Sequence, residues 1–121
     1  MLKQGGWIKT FQYALSGIKW VLLHEKNFKV HLSAAFFAVI LGFLLKITAM
    51  EWSLLSFAIF LVLSLEMFNT SLEKAIDLIT GKQHPLAKIA KDAAAGAVFL
   101  AAVNAVIIGI VIFAKKIIAF I

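Results

Sequence analysis

The chain has 121 residues, of which 63% are hydrophobic and only 15% charged, and its mean hydropathy is +0.99. A soluble domain of this length carries about a quarter charged residues, so the composition excludes an ordinary soluble protein. There is no cysteine, and all 12 basic residues are Lys. The net charge of +6 suits an anionic membrane surface or an anionic ligand. Nucleic acid is not expected as a partner, because the lysines follow the membrane boundaries and form no separate basic domain.

The first predicted element is an amphipathic helix over about residues 6–26. Its apolar residues recur three or four positions apart, and polar residues occupy the opposite side. The apolar set is Trp7, Phe11, Leu15, Ile18 and Leu22, and the polar set is Lys9, Gln12, Ser16 and Lys19. This pattern predicts a helix lying flat in the cytoplasmic membrane interface. On periodicity alone, a simple membrane anchor is an equally good interpretation.

Three long apolar blocks follow, and they predict transmembrane helices at about 28–47, 50–72 and 90–114. The stretches without a formal charge measure 16, 14 and 22 residues, whereas a span needs ~20 predominantly apolar residues. The third block is long enough alone, and the first two reach this length with snorkelling lysines and residues beyond the flanking acids. The first block lies too far from Met1 for a cleaved signal peptide. We therefore predict an all-α integral membrane protein with a single domain over residues 1–121.

The end of the second block carries a stripe of polar residues. Its members are spaced 3, 4 and 4 positions apart, so they lie on one face of a helix. They are Glu66, Asn69, Glu73 and Asp77. Three acids on one face are costly at a membrane unless cations, metal ions or hydrogen-bond donors offset them. The stripe therefore predicts a functional site.

The connection to the third span brings further polar residues to the same membrane boundary. Gly81 suits the end of the preceding helix, and Pro85 suits the first turn of the next one. The polar residues expected at this boundary are Glu66, Glu73, Asp77, His84, Lys88, Lys91 and Asp92. The excess of lysines before the first span and in the second connection places the N-terminus and the 74–91 segment in the cytoplasm. Lys115 and Lys116, which then lie on the outer side, are outnumbered.

Phosphoryl transfer requires groups of these kinds. It needs cations at the phosphates, a metal held by carboxylates, and a residue that accepts the proton of the attacking hydroxyl. Mg²⁺ binds one or two carboxylates and completes its coordination with nucleotide phosphates. A lipid kinase therefore fits the residues, although Gly81-Lys82 lacks the first Gly and the Ser or Thr of a P-loop. The three histidines, His24, His31 and His84, lack the spacing of zinc ligands.

Residues 66–98, EMFNTSLEKAIDLITGKQHPLAKIAKDAAAGAV, closely resemble the small bacterial membrane kinases of the diacylglycerol/undecaprenol kinase family. The E-x-x-N-x-x-x-E-x-x-x-D pattern and the later A-K-D carry this resemblance, with FQYALSGIK and HEKNFKVH nearer the start. The resemblance covers nearly the whole chain. It implies a homotrimer in the bacterial cytoplasmic membrane, with active sites at the cytoplasmic surface and partly between subunits. It also implies phosphorylation of a lipid alcohol by ATP, with Mg²⁺ as cofactor.

The resemblance further implies roles for individual residues at matching positions. Glu66 matches the proton acceptor, and Asn69 lines the same site as a second catalytic candidate. Glu25 and Glu73 match the metal-binding acids. The implied nucleotide-binding residues are Tyr13, Glu25, Glu73, Asp77, Lys82, His84, Lys91 and Asp92. The lipid substrate is expected beside Glu66 and Lys9.

The sequence leaves two candidate substrates within the family and two alternative classes of protein to consider. Undecaprenol is favoured because NFKVH and HPLAKIAKD resemble that branch, and because Gly6 stands where enteric diacylglycerol kinases carry an Arg. A diacylglycerol kinase that makes phosphatidic acid is the alternative within the family. A holin-like or small structural membrane protein explains the spans but not the acidic stripe. A small cation-coupled transporter requires its acids near the bilayer midplane, and here they cluster at one end.

Overall fold

The computed structural model describes residues 6–121, and these residues form four helices without any strand. In chain order they are α1 (Gly6–His24), α2 (Lys26–Leu44), α3 (Ala49–Ile79) and α4 (Pro85–Phe120). Helices α2, α3 and α4 are each long and apolar enough to cross a membrane. The prediction of an all-α protein with one preceding helix and three spans is therefore confirmed.

Helix α3 extends well beyond the length that a bilayer requires. At about 1.5 Å per residue, its 31 residues measure ~46 Å, against a hydrocarbon core ~30 Å thick. No Gly or Pro lies between Ala49 and Ile79 to interrupt it. The acidic stripe therefore continues on the same helix that crosses the membrane, and its later members lie beyond the hydrocarbon.

The turn between α2 and α3 is short and capped on both sides. The Ile47 amide donates to the Gly42 carbonyl at 3.2 Å, and Lys46 has a φ of 52°. This is a helix end closed by a left-handed residue. At the start of α3, the side chains and backbone amides of Thr48 and Glu51 form a reciprocal capping box. The left-handed turn ends α2 at Leu44, before the end predicted for the first span.

The apolar core is small and lies next to this turn. The buried side chains of Ile47, Leu55, Ile112 and Phe113 form its centre. A Cβ atom on Gly42 would lie 2.8 Å from the ring of Trp52, so the close approach of α2 to α3 requires glycine there. Most other large apolar side chains are exposed on the outside of the bundle. This is the surface expected of a protein that lies in lipid.

Helix α1 folds back against the polar end of α3. A Cβ atom on Gly17 would lie 3.9 Å from the terminal methyl group of Met67. The ammonium group of Lys74 lies 5.2 Å from the centre of the Trp20 ring, a cation–π contact. Trp20 in turn stacks on His24, with 4.3 Å between the ring centres. Helix α1 therefore covers the segment of α3 that carries the acidic stripe.

Candidate active site

Glu66 is buried where the apolar part of α3 ends, with 4% of its surface exposed. Its Oε1 atom lies 3.2 Å from Nε2 of His31 on α2. A buried carboxylate without a partner carries a large desolvation cost, which this contact offsets. Within the described residues, Oε2 of Glu66 makes no hydrogen bond. One oxygen of the carboxylate is thus held in place, and the other remains available to a hydroxyl group.

His31 is a site residue that the sequence reasoning missed. The sequence predicts a role for His84 but none for His31, because the spacing of the three histidines is wrong for zinc ligands. The signal that points to His31 is the need of Glu66 for a partner. Between Lys29 and the end of α2, the only polar side chains are those of His31 and Ser33. Ser33 already donates to the backbone carbonyl of Lys29.

Asn69 and Glu73 form the next part of the site, one and two turns further along α3. The Asn69 Nδ2 group donates to Oε1 of Glu73 at 3.1 Å. The Asn69 Oδ1 atom is buried and has no hydrogen-bond partner within residues 6–121. A buried amide oxygen without a partner is costly, so an unfilled acceptor beside a carboxylate is notable in a folded protein.

The side chains around Asn69 offer oxygen atoms of the kind that bind magnesium. Glu25 precedes α2 and makes no side-chain capping bond there. Glu25 and Glu73 both lie close enough to Glu66 for their negative charges to act on it. Carboxylate and amide oxygens are the ligands that Mg²⁺ prefers. No group of three or more acidic or histidine side chains forms a complete metal cage in the described part of the chain. Phosphates and water would therefore have to complete the coordination.

A cleft of about 710 Å³ lies where α3 ends and α4 begins. Its volume is in the usual range for a small-molecule site. The polar residues that line it are Asp77, Thr80, Lys82, Gln83, His84, Lys88, Lys91 and Asp92. Five of the eight residues predicted to bind nucleotide thus share this cleft, which gathers both lysine ammonium groups and carboxylates.

Two ion pairs organise the walls of the cleft. The Lys91 ammonium lies 2.6 Å from Oδ1 of Asp77 and ties α4 to α3. The Lys88 ammonium lies 2.5 Å from Oδ2 of Asp92, one turn away on the same helix. His84 caps α4, because its Nδ1 atom accepts from the backbone amide of Leu86. The two pairs are exposed, so an anionic ligand can compete for these lysines at little cost.

Tyr13 and Lys9 are not joined to the rest of the site by any described contact. Both lie on α1, where Tyr13 is 45% exposed and Lys9 is also exposed. Within residues 6–121, neither side chain makes a hydrogen bond or ion pair with the acidic stripe or with the cleft. Their predicted roles in binding nucleotide and lipid stay predictions.

An apolar groove of about 370 Å³ runs between α2, α3 and α4. Among the residues that the structure describes, His31 is the only polar one that lines it, and the walls are alanines, one glycine and larger aliphatic or aromatic side chains. The groove thus ends at the His31–Glu66 pair. From Glu66 to Asp77 the distance along α3 is roughly 16 Å. The site therefore extends from an apolar groove, past a buried carboxylate, to a polar cleft.

Comparison with known proteins identifies close relatives. Residues 12–113 match the family model described as prokaryotic diacylglycerol kinase. An undecaprenol kinase of Bacillus subtilis (strain 168) is 47% identical over 108 residues, which cover 89% of this chain and 88% of that protein. A diacylglycerol kinase of Synechocystis sp. is 42% identical over 83% of this chain and 58% of its own length. The diacylglycerol kinase of Escherichia coli (strain K12) is 31% identical over 83% of this chain and 82% of its own.

Proposed function

The chain belongs to the prokaryotic diacylglycerol kinase family, and from this premise we propose that it transfers the γ-phosphate of ATP to undecaprenol. It is an ATP-dependent lipid kinase and a multi-pass membrane protein. The observation that carries the choice of undecaprenol is the 47% identity, over nearly the full length of both chains, to a relative of that name. The diacylglycerol kinases compared are 31% and 42% identical.

Glu66 is the proposed proton acceptor. As the lipid hydroxyl oxygen attacks the γ-phosphorus, its proton passes to Oε2 of Glu66, and the bond to the β-phosphate oxygen breaks to release ADP. The contact between His31 and Oε1 supports this role, because it fixes the carboxylate and leaves one oxygen for the substrate. The apolar groove that ends at this pair supports a substrate whose chain is a hydrocarbon. Asn69 is the second proposed catalytic residue, and Lys9 is proposed to contact the lipid.

Magnesium is the proposed cofactor, with Glu25 and Glu73 as its ligands. The partnerless oxygen of Asn69 beside Glu73 supports an oxygen-rich cation site in this region. Magnesium bound there would neutralise negative charge on the phosphates of ATP. The task of the two carboxylates is to hold and orient that charge next to Glu66.

The cleft between α3 and α4 is the proposed nucleotide site. Lys82 and Lys91 provide positive charge for the phosphates. The other proposed contacts to the nucleotide are made by Tyr13, Glu25, Glu73, Asp77, His84 and Asp92. The chain has no arginine to make bidentate contacts with phosphate. The lysines of the cleft therefore act on the phosphates as point charges.

The assembly and its orientation are also proposals. We propose a homotrimer in the bacterial cytoplasmic membrane, with the N-terminus and the 74–91 segment in the cytoplasm. The lysines concentrated near α1 and the cleft support this orientation by the positive-inside rule. The cytoplasm is also the compartment that contains ATP, so the cleft must face it for the reaction to occur.

The test of the substrate is direct competition between the two lipids. Transfer of labelled phosphate from ATP is measured to undecaprenol and to diacylglycerol in mixed micelles of the same composition, and kcat/KM is compared. We expect the ratio to favour undecaprenol. A ratio that clearly favours diacylglycerol would show that diacylglycerol is the substrate. The assignment of the chain as a lipid kinase would be unaffected. Diacylglycerol is the second candidate because relatives of that name cover most of the chain.

A further inference from the structure

A basic patch lies at the end of the bundle opposite the candidate active site. Three lysines, Lys46, Lys115 and Lys116, line a shallow cavity of about 590 Å³ at the ends of α2 and α4. The apolar residues that complete its walls are Leu44, Leu45, Ala119 and Phe120. None of these residues belongs to the site proposed for phosphoryl transfer. We define the three lysines as the basic patch.

The positive charge of the patch is only partly neutralised. Glu51 is the single acid at this end, and its carboxylate lies 3.2 Å from Lys116 and 4.0 Å from Lys115. The same carboxylate also accepts the backbone amide of Thr48. Lys46 pairs with no carboxylate within residues 6–121. Three lysines against one glutamate leave a side-chain charge of +2 beside the membrane.

Lys46 occupies a backbone position that disfavours lysine. Its φ of 52° lies in the left-handed region, where glycine is preferred because it has no Cβ atom. A long charged side chain held in such a conformation is a reason to look for a role. The turn orients Lys46 toward the same cavity that Lys115 and Lys116 line.

We propose that the basic patch binds the phosphate group of an anionic phospholipid, such as phosphatidylglycerol, in the leaflet opposite the active site. Ammonium groups bind phosphate as point charges, and the excess of lysine over glutamate side chains at this end is complementary to a phosphodiester. The exposed apolar side chains of Leu44 and Phe120 border the cavity and lie where the acyl chains of that lipid begin. The patch thus pairs a phosphate-binding group with an apolar surface, as lipid recognition requires.

Trp52 provides a local reporter for this site. Its ring packs on Phe43 at the same end of the bundle, with 4.8 Å between the ring centres. The other two tryptophans, Trp7 and Trp20, lie on α1 and are replaced by Phe in the full-length chain. Quenching of the remaining fluorescence is then measured in vesicles that contain brominated phosphatidylglycerol or brominated phosphatidylcholine. We expect stronger quenching by phosphatidylglycerol at equal lipid fractions.

Variants test which lysines cause that preference. Lys46→Gly and Lys115→Gln should each lower the preference for phosphatidylglycerol about fivefold, the usual effect of one lysine at an anionic membrane surface. Lys46→Gly suits the left-handed turn, so the fold should be retained or stabilised. Lys115 is 71% exposed along its side chain, so its substitution disturbs no packing. Lys19→Gln removes one exposed lysine from α1 and should leave the Trp52 signal unchanged.

Three results would overturn the proposal. Equal quenching by the two lipids would mean that the patch binds no anionic headgroup. If Lys19→Gln lowered the preference for phosphatidylglycerol as much as the patch variants do, the overall charge of the protein, not the patch, would cause the preference. Retention of the full preference in Lys46→Gly and Lys115→Gln would likewise exclude these lysines.

Discussion

His31 stabilises the protein mainly through the charge of Glu66, and a double-mutant cycle measures this effect. In His31→Ala, the buried carboxylate loses its only described partner at 3.2 Å. A buried polar group left without a partner costs ~1–3 kcal/mol, and breaking a fully buried ion pair costs ~3–5 kcal/mol. His31 is half-buried, so water can partly replace it. We therefore expect a loss of about 1–3 kcal/mol in the free energy of unfolding.

The cycle compares this loss with the same substitution in a Glu66→Gln background. An amide carries no charge, so removing His31 there should cost ~1 kcal/mol or less. The difference between the two losses is the coupling energy of the pair. Unfolding is followed by tryptophan fluorescence as an anionic detergent is titrated into mixed micelles. Ser33→Ala, on the same helix, is the matched control and should lie within ±0.5 kcal/mol of the parent protein. Equal losses in both backgrounds would refute the assignment of His31 to the charge of Glu66.

Three further predictions test the chemistry and the packing. Glu66→Gln keeps the shape of the side chain but removes its basicity, so turnover should fall roughly 10²–10⁴-fold while the affinity for ATP stays unchanged; near-normal turnover in folded protein would exclude Glu66 as the base. Glu25→Gln and Glu73→Gln should each weaken use of Mg·ATP, with partial rescue by added Mg²⁺ and a non-additive double variant; additive effects would argue against one shared ion. Gly42→Ala should destabilise the protein by about 1–3 kcal/mol because of the clash with the α3 indole ring, whereas Gly17→Ala, whose nearest neighbour is 3.9 Å away, should be neutral or stabilising by up to about 1 kcal/mol.

The membrane spans were predictable because the length and apolar character of a segment indicate a span. No knowledge of tertiary contacts is needed. Gly81 and Pro85 likewise predict where α3 ends and α4 begins, and the structure has these ends at Ile79 and Pro85. The end of α2 was not predictable in the same way. No Gly or Pro follows Leu44, and Lys46 takes the left-handed conformation that a sequence reader expects of glycine. The next residue, Ile47, is buried in the core, and its amide donates to the Gly42 carbonyl across this turn.

The acidic stripe was predictable from spacing, because residues three and four positions apart share a face of any helix. The partners of the stripe were not, because they belong to other helices. His31 lies on α2, and Lys91 lies 14 residues after Asp77, across the connection to α4. Periodicity gives the direction of a helix face but not which helix that face meets. The contact of Lys74 with Trp20, which joins α3 to α1, was likewise not predictable, because it also involves two helices.

The continuity of α3 is what allows the two substrates of a lipid kinase to meet. A lipid alcohol reaches the boundary from the hydrocarbon, and ATP reaches it from water. Glu66 is the first charged residue after the charge-free stretch 52–65, and Asp77 lies roughly 16 Å further along the same helix. Since no Gly or Pro interrupts this segment, the distance between the proposed proton acceptor and the proposed nucleotide cleft is fixed by helix geometry. A loop at the same place would have to maintain that distance against its own conformational freedom. One rigid helix that passes from lipid to water therefore holds the buried carboxylate and the cleft in a constant relation.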